Sequence, residues 1–151
     1  MKNILNLKDK HEILNRLLNL EPSARAMWGK MNVNEMLCHL ADQLRLGLGI
    51  KEAEYTGNVI EEKILKWLVL WGMPTPKGKV ETAKELKQGL GGTKPTSFEC
   101  DLKYLKDLIE DFDISFKTEN RKHPAFGSLN KKYWGRIVYL HIDHHLKQFG
   151  K

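Results

Sequence analysis

Apolar residues recur with the 3.6-residue period of an α-helix through most of this chain, and no alternating strand pattern extends beyond a few residues. The period predicts a first helix over residues 7–20, which Pro22 ends. A second helix begins at Asn32, where the spacing to Glu35 resembles a capping box, and it stops at the glycines of residues 47–49. A third is predicted over residues 58–71.

The rest of the chain continues the helical pattern after a long connection. Proline and glycine crowd residues 73–97, so we expect a loop there with one short helix around residues 81–88. A second capping-box pattern, Thr96 to Glu99, precedes another helical repeat, and a last helix is predicted over residues 130–149. Four substantial helices and one extra segment predict an all-α fold, an up-and-down four-helix bundle with an additional short helical segment.

Composition limits the class of protein. A chain of 151 residues with 41% hydrophobic and 29% charged residues is typical of one globular domain, here residues 1–151. Cys38 and Cys100 are too far apart for a CxxC pair, which excludes a zinc knuckle and a disulfide framework. The first eight residues contain no uncharged apolar run long enough for the core of a signal peptide. The most apolar stretch, residues 64–73, is shorter than the roughly 20 residues of a membrane span. We expect a soluble cytoplasmic protein.

The net charge of +6 permits an anionic partner without identifying one. Basic clusters at residues 117–122 and 131–132 are not interleaved with aromatic residues, so solvated faces are favoured over nucleic-acid binding. The glycine-rich residues 89–94 lack the spacing of a phosphate-binding loop and are interpreted as a flexible connection. The tryptophans of residues 67–71 fit a core or lid-packing helix, with a homodimer surface or a membrane-touching patch as the alternatives.

The last predicted helix carries three of the six histidines. At about 100° per residue, one narrow stripe of this helix holds Trp134, Val138, His141, His145 and Gln148. Asp143 points to the opposite side with Arg136 and Lys147, as on a solvated face. An i, i+4 pair of histidines can bind one metal ion. The alternatives are histidines that only satisfy hydrogen bonds in the core or complement the helix dipole.

Two histidines do not complete a metal site, so a third ligand is needed. His39, in the middle of the second helix, is the best candidate, and an ordinary residue at the edge of the core is the alternative. His123 precedes a proline and is interpreted as a site-lining or structural residue, whereas His11 lies in a charged stretch and is expected in solvent. Cys38 is expected to be a small buried hydrophobe.

Five segments of this chain resemble the DinB-like superfamily, and within it a branch known only as a domain of unknown function. They are Trp28-Gly29-Lys30-Met31-Asn32 with Met36-Leu37-Cys38-His39, His123-Pro124-Ala125-Phe126-Gly127, Trp134-Gly135, and the run from His141 to Gly150. The resemblance implies a four-helix bundle in which His39, His141 and His145 hold a divalent metal ion. Members of the superfamily include metal-dependent transferases that use small thiol cofactors, but no thiol-cofactor motif is recognisable in this sequence.

These observations predict a metal-dependent enzyme acting on a small molecule, either a thiol-dependent transferase or a hydrolase, with zinc, nickel or iron as the ion and a low-molecular-weight thiol as a further cofactor. Three histidine ligands leave a position open, where a metal lowers the pKa of a bound thiol or water. Gln43 and Gln148 are candidates for holding a substrate or orienting a ligand, and Tyr133 and His144 for proton transfer or for supporting a ligand. Plain packing or polarity at a helix end is the alternative for each of the four. The alternative function is a non-catalytic bundle that binds a metal or small ligand.

Overall fold

The computed structural model describes residues 1–54 and 83–151. These residues contain four α-helices, one short 3-10 helix and one sheet of two strands. In chain order they are α1 (Leu7–Leu18), α2 (Val33–Leu48), the 3-10 helix (Lys84–Leu86), α3 (Phe98–Ser115), β1 (Asn120–His123), β2 (Gly127–Asn130) and α4 (Lys131–Gln148). The helix predicted over residues 58–71 and the tryptophans of residues 67–71 lie outside the described residues.

Capping side chains set the helix starts where the sequence predicts them. In α2, Asn32 Oδ1 accepts from the Glu35 amide at 2.9 Å and Glu35 Oε2 accepts from the Asn32 amide at 2.8 Å, so the capping box is complete. α3 differs in detail, because its cap is Ser97 and not Thr96. The hydroxyl of Thr96 donates instead to Asp101. The predicted helices therefore form with small shifts at their ends.

A β-hairpin between α3 and α4 corrects the all-α expectation. β1 and β2 pair antiparallel, with Asn120 opposite Asn130 and His123 opposite Gly127. Each strand has four residues, too few for an alternating pattern to emerge from the sequence. The described residues are thus mostly helical with a small sheet, and the predicted bundle is confirmed only in its helical character.

The helices pack so that the two histidine-bearing ones meet. α2 packs along α3, α1 packs along α4, and α2 contacts α4. Gly47 permits the close approach, because a Cβ there would lie 3.0 Å from Cε3 of Trp134. Trp134 is fully buried and donates its indole N–H to the carbonyl of Arg121 at 3.0 Å, which ties the hairpin to α4. The core therefore fixes α2 against the face of α4 that carries the histidines.

The opposite face of α4 is less solvated than expected. Arg136 is 8% exposed and donates Nη1 to the carbonyl of Lys2 at 2.7 Å, so its assignment to a solvated face was wrong. Asp143 is half-buried and pairs with Arg16 of α1 at 2.7 Å, whereas Lys147 is exposed as predicted. A surface groove of about 530 Å³ lies along this face. Among residues 1–54 and 83–151, no helix has the length and apolarity to cross a membrane.

Candidate metal centre

Three histidines from two distant parts of the chain converge between α2 and α4. The ring centroid of His39 lies 4.8 Å from that of His141 and 5.0 Å from that of His145, and the two rings of α4 are 4.7 Å apart. One ligand nitrogen from each ring lies within 4.8 Å of the other two, so the cluster could hold a metal ion. The three residues predicted as ligands are therefore together in the fold.

The same nitrogen of each ring faces the centre of this cluster. Nε2 of His39 is 3.0 Å from Nε2 of His141, which is 3.1 Å from Nε2 of His145. Two ligand atoms that each lie about 2.1 Å from one ion are about 3.0 to 3.4 Å apart for bond angles between 90° and tetrahedral. The measured separations fit the lower end of that range.

The outer nitrogen of each ring faces a carbonyl oxygen. Nδ1 of His39 donates to the backbone carbonyl of Leu86 at 3.1 Å, Nδ1 of His141 to Oε1 of Gln43 at 2.5 Å, and Nδ1 of His145 to Oε1 of Gln148 at 2.7 Å. A carbonyl oxygen can only accept, and a neutral imidazole carries one N–H. The proton therefore sits on Nδ1 in all three rings, and three bare Nε2 lone pairs point at one another.

The amide of Gln148 is itself oriented by the chain before α2. Its nitrogen donates to the backbone carbonyl of Trp28, which leaves its oxygen facing His145. Gly29 allows this approach: its φ is +84°, and a Cβ there would lie 2.5 Å from the amide nitrogen of Gln148. The tautomer of His145 is thus fixed by a hydrogen-bond chain that ends on the backbone.

Burial keeps protons away from the centre. His39 and His145 are 6% and 7% exposed, and desolvation lowers the pKa of both, that of His145 to about 3. The pKa of His141 lies well below its usual value, first because of desolvation and then because of the neighbouring histidines. Near neutral pH, no imidazolium proton relieves the repulsion between the lone pairs.

The other candidate residues take different places. His144 is half-buried, with its ring edge-on to Trp28 at 6.0 Å and to His145 at 5.2 Å. Tyr133 is partly buried against the core. Gln43 and Gln148 are hydrogen-bonded to the rings of His141 and His145, and their predicted role in holding a substrate or a ligand stays a prediction.

His123 is a buried structural residue next to the candidate centre. Its Nδ1 accepts the amide proton of Ala125 at 3.1 Å within the hairpin turn, and its ring lies 4.6 Å from that of Phe126 and 5.1 Å from that of Trp134. Burial lowers its pKa to about 3. His11 is exposed, as predicted, and Cys38 is a buried free thiol.

A short helix around residues 81–88 was predicted, but nothing in the sequence indicated that the carbonyl of Leu86 accepts the Nδ1 proton of His39. Residues 89–94 were expected to be a flexible connection, but Thr93 and Gly91 are hydrogen-bonded to Asp42 and Lys51, which corrects that interpretation. A backbone carbonyl leaves no signature in a sequence. The buried aspartate three residues after His39 was the available signal, since a carboxylate within the apolar part of a helix requires partners.

Comparison with known proteins gives a family and no further relative. A family model described as "Protein of unknown function (DUF1569)" matches residues 1–151, the whole chain. Neither the curated proteins nor the solved structures contain a match. The geometry of the three histidines is therefore the basis for any statement about function.

Proposed function

Since the chain belongs to the family of proteins of unknown function DUF1569, we propose its function from this site: a metal-dependent enzyme in which His39, His141 and His145 bind one divalent ion. The observation that carries the proposal is the convergence of three Nε2 atoms, with separations of 3.0 and 3.1 Å, in a site where His39 and His145 are buried. Lone pairs at that distance repel each other, and the three residues would hold a cation there that relieves the repulsion.

The donor set favours a borderline transition metal. Neutral imidazole suits zinc, nickel and iron, whereas calcium and magnesium prefer oxygen ligands. Each ring also donates the proton on its Nδ1 to a carbonyl oxygen, which is a usual outer partner of a metal-bound histidine. Three protein ligands are the number found in catalytic zinc sites, where the remaining position takes water or substrate.

The proposed chemistry is thiol transfer or hydrolysis. A metal in this site would act as a Lewis acid and would lower the pKa of a bound thiol or water towards neutral pH. Gln43 and Gln148 hold the ligand rings in place, and Trp28 and His144 form an aromatic contact beside His145. We assign His144 as the candidate for proton transfer, because it is half-buried and contacts a ligand ring.

We also propose that the family lies within the DinB-like superfamily. The support is the placement of the three histidines, one on α2 and two that are four residues apart on α4, as the resemblance implies. A non-catalytic protein that binds a metal or a small ligand is the alternative function, and it would use the same three residues.

Metal binding is the first test. Protein purified without a histidine tag and stripped of metal is titrated with zinc, nickel or iron(II), and stoichiometry is measured by elemental analysis. We expect one ion per chain, and for His141→Ala an affinity lower by more than about 100-fold, beyond the loss typical of an outer partner. His11→Ala, which removes an exposed histidine, is the matched control. Wild-type protein that binds none of the three ions would contradict the proposal.

A turnover assay distinguishes a metal-dependent enzyme from a protein that only binds a metal. The metal-loaded protein is assayed on a panel of thiol-conjugation and ester-hydrolysis reactions. We expect one class of reaction to be accelerated by wild type and by His11→Ala, and lost in His141→Ala. Metal binding without turnover on either class favours the non-catalytic alternative.

A further inference from the structure

Asp42 is a wholly buried carboxylate one helical turn after His39. Its side chain is 0% exposed, and both of its oxygens accept two hydrogen bonds. Oδ1 accepts from Thr93 Oγ1 at 2.7 Å and from Arg45 Nη1 at 3.1 Å. Oδ2 accepts from the Thr93 amide at 2.8 Å and from Lys51 Nζ at 2.7 Å. Desolvating a carboxylate costs several kcal/mol unless its partners are all in place, so this network holds Thr93 firmly against α2.

Thr93 ends a short segment that folds on itself, residues 84–93, which we call the carbonyl clamp. The amide of Gly91 donates to the carbonyl of Lys84 at 3.0 Å, and the amide of Gly92 donates to that of Lys87 at 3.0 Å. Gly91 has no room for a side chain, because a Cβ there would lie 2.7 Å from Cα of Glu85. The clamp is therefore compact, so the hydrogen bonds that hold Thr93 at one end also restrict the position of residues 84–86 at the other end.

The clamp presents one backbone oxygen to the candidate metal centre. Leu86 is 6% exposed, and its carbonyl accepts the Nδ1 proton of His39 at 3.1 Å. Lys51, which binds Asp42, also donates to the carbonyl of Gly91 at 3.0 Å, so the clamp is attached to the carboxylate network at two points. Hydrogen bonds, together with the backbone of the clamp, thus connect Asp42 to the ring of His39.

We propose that Asp42 is a positioning residue for the metal centre: through Thr93 it holds the carbonyl clamp so that Leu86 fixes the ring and the tautomer of His39. This inference rests on the proposed function. Outer partners of metal-bound histidines orient the ring and raise its basicity, and their loss typically lowers metal affinity 10- to 100-fold. Asp42 never touches the ion, and its effect passes through Leu86.

The test compares two threonines that make the same contacts with an aspartate. Thr93→Val removes the hydroxyl that donates to Asp42. Thr96→Val removes a hydroxyl that donates to Asp101 at 2.7 Å, where the threonine amide also donates to the carboxylate, at the start of α3. Zinc dissociation constants are measured by competition with a chromophoric chelator. The visible spectrum of the cobalt(II)-loaded protein reports ligand geometry, and urea unfolding reports stability.

For Thr93→Val we expect an affinity for zinc about 10-fold lower and a shifted cobalt spectrum. Thr96→Val is expected to keep both wild-type values even where it loses similar stability. Asp42→Asn should lower the affinity for zinc further. If Asp42→Asn fails to fold, the zinc affinity of Thr93→Val alone tests the role of Asp42. Equal zinc affinities in the two threonine variants would overturn this inference alone, whereas wild-type protein that binds no metal would overturn the proposed function with it.

Discussion

Three imidazoles in this fold are held by carbonyl oxygens from three different places. His39 donates to a backbone carbonyl of the 3-10 helix, His141 to a glutamine side chain of the facing helix, and His145 to a glutamine side chain of its own helix. The three partners have in common that each accepts a hydrogen bond from Nδ1. For the individual residues, the site is therefore defined by which nitrogen of each ring carries no proton, and in all three rings this is Nε2.

Gln43 allows this tautomer to be tested directly. Gln43→Leu removes the oxygen that accepts the Nδ1 proton of His141 at 2.5 Å, and we expect zinc affinity to fall by about 10- to 100-fold. Gln43→Glu keeps an accepting oxygen and should retain the wild-type affinity within a few-fold. Isothermal titration of the stripped proteins with zinc measures both values. A Gln43→Glu protein as weak as Gln43→Leu would show that His141 does not donate at this position.

Elements with local signals were predictable, and those that depend on tertiary contacts were not. The capping box of Asn32 and Glu35 and the cap of Asn130 act within one helical turn, so their residues define the starts of α2 and α4. The hairpin forms because Leu129 is fully buried and Trp134 binds the carbonyl of Arg121, and neither contact is local enough to read from four-residue strands.

Gly135 is required by a strap of N-terminal residues that crosses the start of α4. The amide of Ile4 donates to the Gly135 carbonyl at 3.1 Å, and a Cβ on Gly135 would lie 2.7 Å from Cγ of Leu5 and collide with Oδ1 of Asn3. Alanine is favoured over glycine inside a helix by about 1 kcal/mol, but this overlap costs about 1 to 3 kcal/mol.

We therefore expect Gly135→Ala to lower the free energy of unfolding by about 0 to 2 kcal/mol, the overlap cost less the gain in helix propensity. Zinc affinity should not change, because the histidines lie further along the helix. Lys132→Ala introduces alanine without overlap at an exposed position of the same helix, and it should stay within about 0.5 kcal/mol of wild type. Urea unfolding measures the free energy of unfolding of each variant. A Gly135→Ala protein more stable than wild type would mean that the N-terminal residues move aside to accommodate the methyl group.

For the molecule as a whole, the convergence of the three histidines was predictable because it depends on one face of each of two helices. The spacing of His141 and His145 places both rings on one side of α4, and burial of the apolar arc of α2 brings His39 to meet them. The carbonyl clamp was not predictable, since its place depends on one buried carboxylate, Asp42, and on the fold of a glycine-rich loop. The histidines of the cluster and the glutamines that contact two of them were therefore candidates from the sequence, whereas the carbonyl of Leu86 was not.

Acid should unfold the metal-free protein. His123 and His145 have pKa values of about 3 in the folded chain, against 6.5 for an unperturbed histidine, and those of His39 and His141 are lowered too. Between these values the unfolded chain binds more protons than the folded one, so the free energy of unfolding falls as pH falls from about 6.5 towards 3. His123 and His145 each contribute about 1.4 kcal/mol per pH unit to this slope across that window and nothing above it, and the lowered pKa values of His39 and His141 act in the same direction.

Urea unfolding of metal-free protein at several pH values between 7.5 and 4 measures this slope. His123→Asn, which keeps an acceptor for the Ala125 amide, should reduce the slope by about 1.4 kcal/mol per pH unit, whereas His11→Ala, at an exposed position, should leave it unchanged. Bound zinc should stabilise the protein at pH 7.5 by mass action and lose that effect on acidification, because protons compete for the same nitrogens. A pH-independent free energy of unfolding would mean that these imidazoles are not buried in neutral form.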